Sequence, residues 1–229
     1  HRVLSGIGED NSRPKRRLIS FRNGSQQLID GLQERLDEQI VYEFDVRGLR
    51  GDRRNGWEME ASDGRTEGPF DLAVWTAPAH ALEHLDLVGQ NGATADLGLF
   101  GEVYYPPVAV VATGWERYRV GHPLDGFGFL MPEHEPYRIL GTLFMSTLFP
   151  NRAPTGRALM STFVGGSRSP ELCDLSDQKL LDLVRDDLQE LVDTRGTPDM
   201  ADICRWERAI PQYEVGYGRI LDRLRSLET

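Results

Sequence analysis

The 229-residue sequence has few of the residues from which catalytic and metal sites are usually built. Its two cysteines, Cys173 and Cys204, are too few for a disulfide framework and lie at no metal-binding spacing, which favours a reducing compartment. No GxSxG elbow, HExxH helix or Walker loop occurs, so the signatures of common hydrolases, zinc proteases and P-loop NTPases are missing. We therefore predict no catalytic side chain.

Positive charge and long apolar runs are also scarce. The net charge is -10, and the basic cluster Arg13–Arg17 is typical of a solvated loop, so we expect no nucleic-acid partner. No apolar run approaches the roughly 20 residues that a membrane-spanning helix needs. With 39% hydrophobic and 27% charged residues, the chain has the composition of an ordinary globular protein.

Two histidines have a spacing that can hold a metal ion. His80 and His84 lie at i,i+4, which places both side chains on one face of a helix. No third ligand stands near them in the sequence. We therefore predict solvent-facing helix histidines and no metal site.

Residues 1–88 are predicted to form one unit. A short strand is expected at Leu18–Arg22, a helix after the capping residue Ser25, and a half-buried strand over Ile40–Arg50, in which the apolar residues up to Val46 alternate with polar ones. A hairpin follows, and the nearly continuous apolar run Phe70–Pro78 predicts a strand buried on both faces.

Residues 89–229 are predicted to form a second unit. Four apolar segments separated by Gly, Pro and Asn turns indicate an antiparallel meander. Ser176 precedes a strongly amphipathic helix, and a strand at Ala201–Glu207 and a final helical pattern follow. The predicted fold class is α+β: a mixed or antiparallel sheet domain with flanking helices, joined to a βαβ-type unit.

Glycines stand beside large apolar residues in several of the predicted strands. The stretch Asp125–Pro132, "DGFGFLMP", is the clearest case. Glycine inside a strand usually marks the close approach of a ligand or of another backbone, and the apolar neighbours would suit a flat apolar ligand. Packing in the core explains such patterns more often than a ligand does, and both interpretations stay open here.

Longer stretches of the sequence resemble the protoporphyrinogen oxidases, FAD enzymes of haem biosynthesis in the flavin amine-oxidase superfamily. The resemblance covers nearly all of the chain after about residue 18. It is carried, in chain order, by "SFRNGSQQLIDGLQERL", "DLAVWTAPAHAL", "GFGFLMPEHEPYRILGTLFMSTLFPNRAP", "STFVGGSRSPEL" and "RWERAIPQYEVGY".

This resemblance implies a flavoprotein whose partner is a tetrapyrrole substrate. The flavin would take hydride equivalents from the carbon bridges of a porphyrinogen, and oxygen would reoxidise it to give hydrogen peroxide. Since the protein mainly positions substrate against flavin, no catalytic acid or nucleophile is needed. The family also implies a cytoplasmic location, with peripheral membrane association through a region absent here, and leaves a homodimer open.

Carried over position by position, the resemblance assigns residues to a cofactor side and a substrate side. The residues expected at the FAD are Val46, Ala77 and Pro78. Those expected at the tetrapyrrole are Phe127, Gly128, Leu130, Leu143 and Phe163. Phe129 points the opposite way on its strand and is expected in the core.

The sequence departs from the family in what it lacks. The GxGxxG loop, its acidic ribose partner, the helical membrane region, the family's propionate-binding arginine and the glycine-rich C-terminal segment are all missing. We expect a middle portion of such an enzyme, residues 1–88 from its FAD domain and 89–229 from its substrate domain, that is inactive and retains no FAD alone. Arg117, Arg119 and Arg138 could meet propionates, but no spacing selects among them.

Two other functions stay open. One is a different oxidoreductase of the same superfamily, an amine oxidase or a carotenoid desaturase. The other is a binding module that holds a porphyrin without redox chemistry. The resemblance also leaves open whether the substrate is protoporphyrinogen or its tetracarboxylate relative coproporphyrinogen.

Overall fold

The computed structural model describes residues 19–89, 91–149 and 151–227. These residues form two β-sheets and a small number of helices, so the predicted α+β class is confirmed. The basic cluster Arg13–Arg17 lies outside the described residues. In the described part of the chain, no helix is long and apolar enough to cross a membrane.

The first sheet has four strands in the order β3-β2-β1-β4. Three of them form an antiparallel meander, and the fourth pairs in parallel with β1. The strands are β1 Val46–Asp52, β2 Gly56–Ala61, β3 Thr66–Phe70 and β4 Asp86–Val88. The predicted hairpin is thus confirmed, since β1 and β2 pair directly across the turn between them.

The first helix is confirmed. The strand predicted at Leu18–Arg22 is not found over residues 19–22, and the strand predicted over Ile40–Arg50 begins only at Val46, the first residue of β1. Helix α1 spans Gln26–Leu36, directly after Ser25. Residues 19–22 form a coil and a turn instead of a strand, and Leu18 lies outside the described residues. Residues 40–45 are also irregular, since Glu43 adopts a positive φ of 52° that interrupts an extended chain.

The strand predicted over Phe70–Pro78 is wrong beyond its first residue. Strand β3 ends at Phe70, and the following residues form no strand. Leu72 and Val74 are 74% and 72% exposed, the opposite of the burial that their apolar character predicts. A run that is apolar on both faces needs neighbours on both sides, and none of the described strands pairs with it.

The second sheet has five strands, all antiparallel to their neighbours, in the order β6-β7-β8-β5-β9. The predicted antiparallel pairing is confirmed, but only β6, β7 and β8 follow one another as a meander, because β5 pairs with β8 and β9 instead of with β6. The strands are β5 Val108–Glu116, β6 Gly128–Leu130, β7 Ile139–Leu143, β8 Arg157–Gly165 and β9 Met200–Trp206. The four-residue helix α2, Met145–Leu148, connects β7 to the loop before β8.

One face of this second sheet is buried under helix α3, Asp177–Val192. Residues of β5, and those of β8 from Ala158 to Val164, alternate between buried and half-buried, which is the pattern of a sheet covered on one side. Trp115, Met160 and Leu188 are completely buried between the sheet and the helix. The sheet and helix therefore share one continuous core drawn from residues 109–192.

A second, smaller core lies under the first sheet and draws on both ends of the chain. Its buried members are Leu85, Leu97, Phe100, Val103 and Ile220. Ile220 belongs to helix α4, Gly218–Leu227, which confirms the predicted final helix. This core joins residues that precede the second sheet in the sequence with residues that follow it. The domain boundary near residue 88 therefore stays a prediction.

A buried carboxylate ties β7 to α3. Asp187 is 5% exposed and accepts hydrogen bonds from the backbone N–H groups of Arg138 at 2.8 Å and Ile139 at 3.2 Å. Its other oxygen accepts from the Arg138 guanidinium at 2.9 Å. The carboxylate thereby links two backbone N–H groups at the start of β7 to helix α3.

We predict that Asp187→Ala lowers the free energy of unfolding by about 2–3 kcal/mol, because the buried N–H of Ile139, the N–H of Arg138 and the Arg138 guanidinium each lose an acceptor. Urea denaturation followed by circular dichroism measures the change. The matched control is Asp186→Ala, whose exposed carboxylate pairs with Arg185, and it should change stability by less than about 0.5 kcal/mol. Equal effects at both positions would contradict the structural role of Asp187.

Candidate functional site

The face of the second sheet opposite α3 is uncovered, and we call it the open face. Register places its residues in cross-strand rows: Val110 of β5 stands between Phe163 of β8 and Cys204 of β9. In the neighbouring row, Ala112 stands beside Ser161, which pairs with Leu143. The open face is thus a mainly apolar platform across several strands.

Three of the predicted substrate residues lie together on this open face. Leu130 pairs with Gly141, which in turn pairs with Phe163, so the two large side chains flank a glycine in one row. Leu143 follows in the next row. Leu130 is 84% exposed, whereas Leu143 and Phe163 are half-buried among their neighbours. Their contact with a tetrapyrrole stays a prediction.

The aromatic residues on either side of Gly128 differ in their surroundings. Phe129 packs against the core under α3, as expected, with its ring 6.1 Å from that of Phe144. Phe127 precedes β6, is 58% exposed, and accepts the Phe144 N–H through its carbonyl oxygen. Its exposure leaves Phe127 free to meet a ligand, which remains a prediction.

Gly128 allows β6 and β7 to approach each other closely. Its φ is +133°, and a Cβ at this position would lie 2.0 Å from the carbonyl oxygen of Thr142. A Cβ at Gly141 would likewise lie 2.5 Å from the carbonyl oxygen of Phe129. The neighbouring backbone therefore accounts for both glycines without a ligand. The predicted ligand contact of Gly128 itself stays a prediction.

The three residues predicted at the cofactor lie around the smaller core. Val46 begins β1 and packs against that core. Ala77 and Pro78 are exposed and lead into a 3-10 helix, Ala79–His84. Ala79 packs against the same core and donates its N–H to the Tyr105 hydroxyl at 3.0 Å. The structure thus brings Val46 and the segment after Pro78 to one core, and their contact with FAD stays a prediction.

His80 differs from the predicted solvent-facing histidine. It lies in a 3-10 helix and is half-buried, with its ring 5.0 Å from that of Tyr105 in an edge-to-face arrangement. Burial, together with the nearby charge of Arg208, lowers the pKa of His80 below its usual range. No group of three His, Cys, Asp or Glu side chains suited to a metal ion occurs within residues 19–89, 91–149 and 151–227.

The three arginines considered for propionate binding are each held by protein groups. Arg117 donates to the carbonyl oxygens of Val120, His122 and Pro123. Arg119 pairs with Asp199, and its ion pair helps to hold the pKa of that carboxyl below its usual range.

Arg138 belongs to the α3 side of the sheet, because its guanidinium pairs with Asp187. A propionate bound above the open face would lie on the opposite side of the sheet from the Arg138 guanidinium. The geometry therefore favours none of the three.

Sequence reasoning missed the contribution of β5 and β9 to the open face. The half-buried positions Val110 and Ala112 alternate with buried ones along β5, so the alternation in "PPVAVVATGWE" was a usable signal. Met200 and Trp206 of β9, 47% and 58% exposed, extend the same face to the sheet edge. Their placement required the strand register, which the sequence does not contain.

A groove of about 1180 Å³ lies elsewhere, against the first sheet. It is lined by apolar residues such as Leu49, Trp57 and Leu87 and by charged residues such as Arg54 and Arg223. None of the predicted site residues lines it. This groove therefore adds nothing to the predicted site.

Comparison with known proteins gives the class of this chain. The family model for flavin containing amine oxidoreductases matches residues 1–228. The chain therefore belongs to the flavin-containing amine oxidoreductase family.

Within that family, the chain is similar to porphyrinogen oxidases. It is 31% identical over 221 residues to protoporphyrinogen oxidase 2 of Arabidopsis thaliana, covering 92% of this chain and 43% of that protein. It is 32% identical to the mitochondrial protoporphyrinogen oxidase of Nicotiana tabacum, covering 95% of this chain and 46% of that protein. A coproporphyrinogen III oxidase of Bacillus subtilis is 25% identical, covering 89% and 42%. The chain thus spans less than half the length of these relatives.

A solved structure agrees on the fold. A putative protoporphyrinogen oxidase from Exiguobacterium sp. 255-15 superposes with a TM-score of 0.67 at 22% identity, covering 94% of this chain and 46% of that one. A reduced UDP-galactopyranose mutase superposes with a TM-score of 0.62 at 14% identity, covering 88% and 42%. Both likenesses concern the fold alone.

We predict that Gly128→Ala lowers the free energy of unfolding by about 2 kcal/mol or more, since it combines a positive φ with a clash against Thr142. Thermal or urea unfolding measures the effect. Gly126→Ala is the matched control, because no atom lies within 4 Å of its added Cβ and its φ is not positive. If Gly128→Ala were as stable as the Gly126 variant, close strand approach would not be the reason for this glycine.

Proposed function

We propose that this chain forms the substrate wall and part of the cofactor side of an FAD-dependent oxidase that converts a porphyrinogen to the porphyrin. The observation that carries the proposal is the placement of Leu130, Leu143 and Phe163 on one open sheet face. The family of the chain and the names of its relatives support the same reaction class.

The open face suits a large, flat, mainly apolar ligand. Leucine and phenylalanine side chains supply apolar area, and an aromatic ring can stack on a flat macrocycle. The sheet beneath them is held rigidly by the core under α3, so the wall is formed before any ligand arrives. The role we propose for these residues is to orient the substrate and exclude water from one of its faces.

The residues of the cofactor side fit a flavin only in part. Ala77 and Pro78 are exposed, and the buried Nδ1 of the neighbouring His80 has no hydrogen-bond partner within the part of the chain that the structure describes. Val46, Ala77 and Pro78 would hold an edge of the FAD. When bound, FAD would supply the redox chemistry, as the two-electron acceptor between the porphyrinogen and oxygen.

Other predictions rest on the family resemblance alone. We propose a cytoplasmic location and a tetrapyrrole as the partner. Peripheral association with a membrane and assembly as a homodimer stay predictions. Protoporphyrinogen and coproporphyrinogen both stay open as the substrate.

We predict that the full-length protein with bound FAD oxidises protoporphyrinogen or coproporphyrinogen, and that Phe163→Ala raises KM about tenfold by removing a ring from the substrate wall. Porphyrin fluorescence and hydrogen peroxide release measure turnover under air. Phe70→Ala, an exposed phenylalanine on the other sheet, is the control and should leave KM unchanged. Oxidation of a primary amine with no porphyrin formed would instead indicate an amine oxidase.

We predict that the isolated 229-residue chain does not retain FAD, because its sequence has no GxGxxG loop to hold the diphosphate. The chain would be mixed with excess FAD and passed through a desalting column, and the eluted protein should be colourless. A yellow protein with one flavin per chain would contradict the prediction. Saturable binding of protoporphyrin IX in a Soret titration without FAD would favour a non-redox binding module.

A further inference from the structure

Arg168 lies beyond the ends of β6 and β8, the two strands that contribute Leu130 and Phe163 to the open face. It belongs to the turn between β8 and the 3-10 helix Pro170–Asp174, five residues after Phe163. Its Nη2 donates to the carbonyl oxygen of Met131 at 3.0 Å. Met131 directly follows Leu130, the most exposed apolar residue of the open face, so the guanidinium is held at the end of β6.

The turn that carries Arg168 is firmly placed. Gly165 and Gly166 both have positive φ, which lets the chain turn sharply at the end of β8. The Gly166 N–H donates to the carbonyl oxygen of Pro107 at 2.8 Å, which fixes the turn against the start of β5. Arg168 is thus presented from a rigid part of the sheet.

The charge of Arg168 is not neutralised within the described residues. Six other arginines of the second sheet and its helices pair with carboxylates: Arg119, Arg138, Arg157, Arg185, Arg195 and Arg205. Arg117 and Arg152 also have no described carboxylate partner, but they donate three and two hydrogen bonds to other oxygen atoms. Arg168 has no carboxylate partner in the described part of the chain and is exposed. Its single hydrogen bond to a carbonyl leaves Nε and Nη1 without a described acceptor.

An apolar platform with a cation near its end that has no described carboxylate partner matches a ligand that is apolar at its centre and anionic at its periphery. A porphyrinogen has that chemistry, since its pyrrole rings carry propionate carboxylates on flexible arms. A guanidinium can bind a carboxylate through two parallel hydrogen bonds. The bond to Met131 restricts the side chain in advance, so less rotamer freedom is lost when a ligand binds.

We propose that Arg168 binds a propionate carboxylate of the tetrapyrrole at the β6 end of the open face. The inference rests on the proposed function and deepens it, because it names the residue that contacts the carboxylate. Sequence spacing selected no such residue, and the geometry favours none of Arg117, Arg119 and Arg138.

The test compares two ligands that differ only in their carboxylates. Protoporphyrin IX and its dimethyl ester are titrated, in detergent, into the full-length protein with bound FAD, and the Soret band reports Kd. We expect Arg168→Met to weaken binding of the free acid about tenfold and to leave binding of the ester within about twofold. Arg168→Lys should restore part of the loss, since it keeps the charge but not the bidentate geometry.

Arg195→Met is the matched control, because Arg195 is exposed and pairs with Asp193 at 3.0 Å instead of facing the sheet. It should change neither Kd. An equal loss for acid and ester in Arg168→Met would show that the arginine only holds Met131, and no loss for either would also overturn the inference. Failure of the unmodified protein to bind both ligands would overturn the proposed function itself, and the inference with it.

Discussion

Burial of one face of the five-stranded sheet under α3 is the constraint on which the rest of the structure depends. It fixes which residues of each strand are core, and by alternation it fixes which residues are left on the opposite side. Thr142 and Thr162 illustrate the point: their hydroxyls meet at 3.0 Å inside the core, and the next residues, Leu143 and Phe163, therefore emerge on the open face. The candidate substrate wall is a consequence of how the core is packed.

Local periodicity was sufficient to predict much of this fold. Helix α3 carries a stripe of leucines and valines at helical spacing, and β5 and β8 alternate, so their type and their buried faces could be inferred directly. The strand predicted over Phe70–Pro78 does not form beyond Phe70. Its apolar residues indicate packing on both faces, and the described residues provide no strands beside it. The predicted strand is absent over residues 40–45 for a different reason. The positive φ of Glu43 interrupts the extended chain, and an alternating sequence pattern does not reveal a positive φ.

The candidate site, like the fold, was predictable from the sequence only in part. The resemblance selected Leu130, Leu143 and Phe163, and only strand register could show that they share a face. Of the two explanations left open for the glycines of "DGFGFLMP", close approach of another backbone holds at Gly128, because the backbone of β7 occupies the space that a Cβ there would need. Arg168 could not be chosen from sequence, because its selection depends on which other arginines already have carboxylate partners.

The two sides of the candidate site rest on cores of very different completeness. Beneath the open face, the core of the second sheet buries Trp115, Met160 and Leu188 completely, so its wall is stable without further contacts. On the cofactor side, α1 has no buried residue and exposes its apolar face, and Trp75 and its neighbours are exposed as well. Apolar area of this extent is unusual on a free surface. The candidate substrate wall is therefore preformed within this chain, whereas the geometry around Ala77 and Pro78 depends on whatever covers that surface.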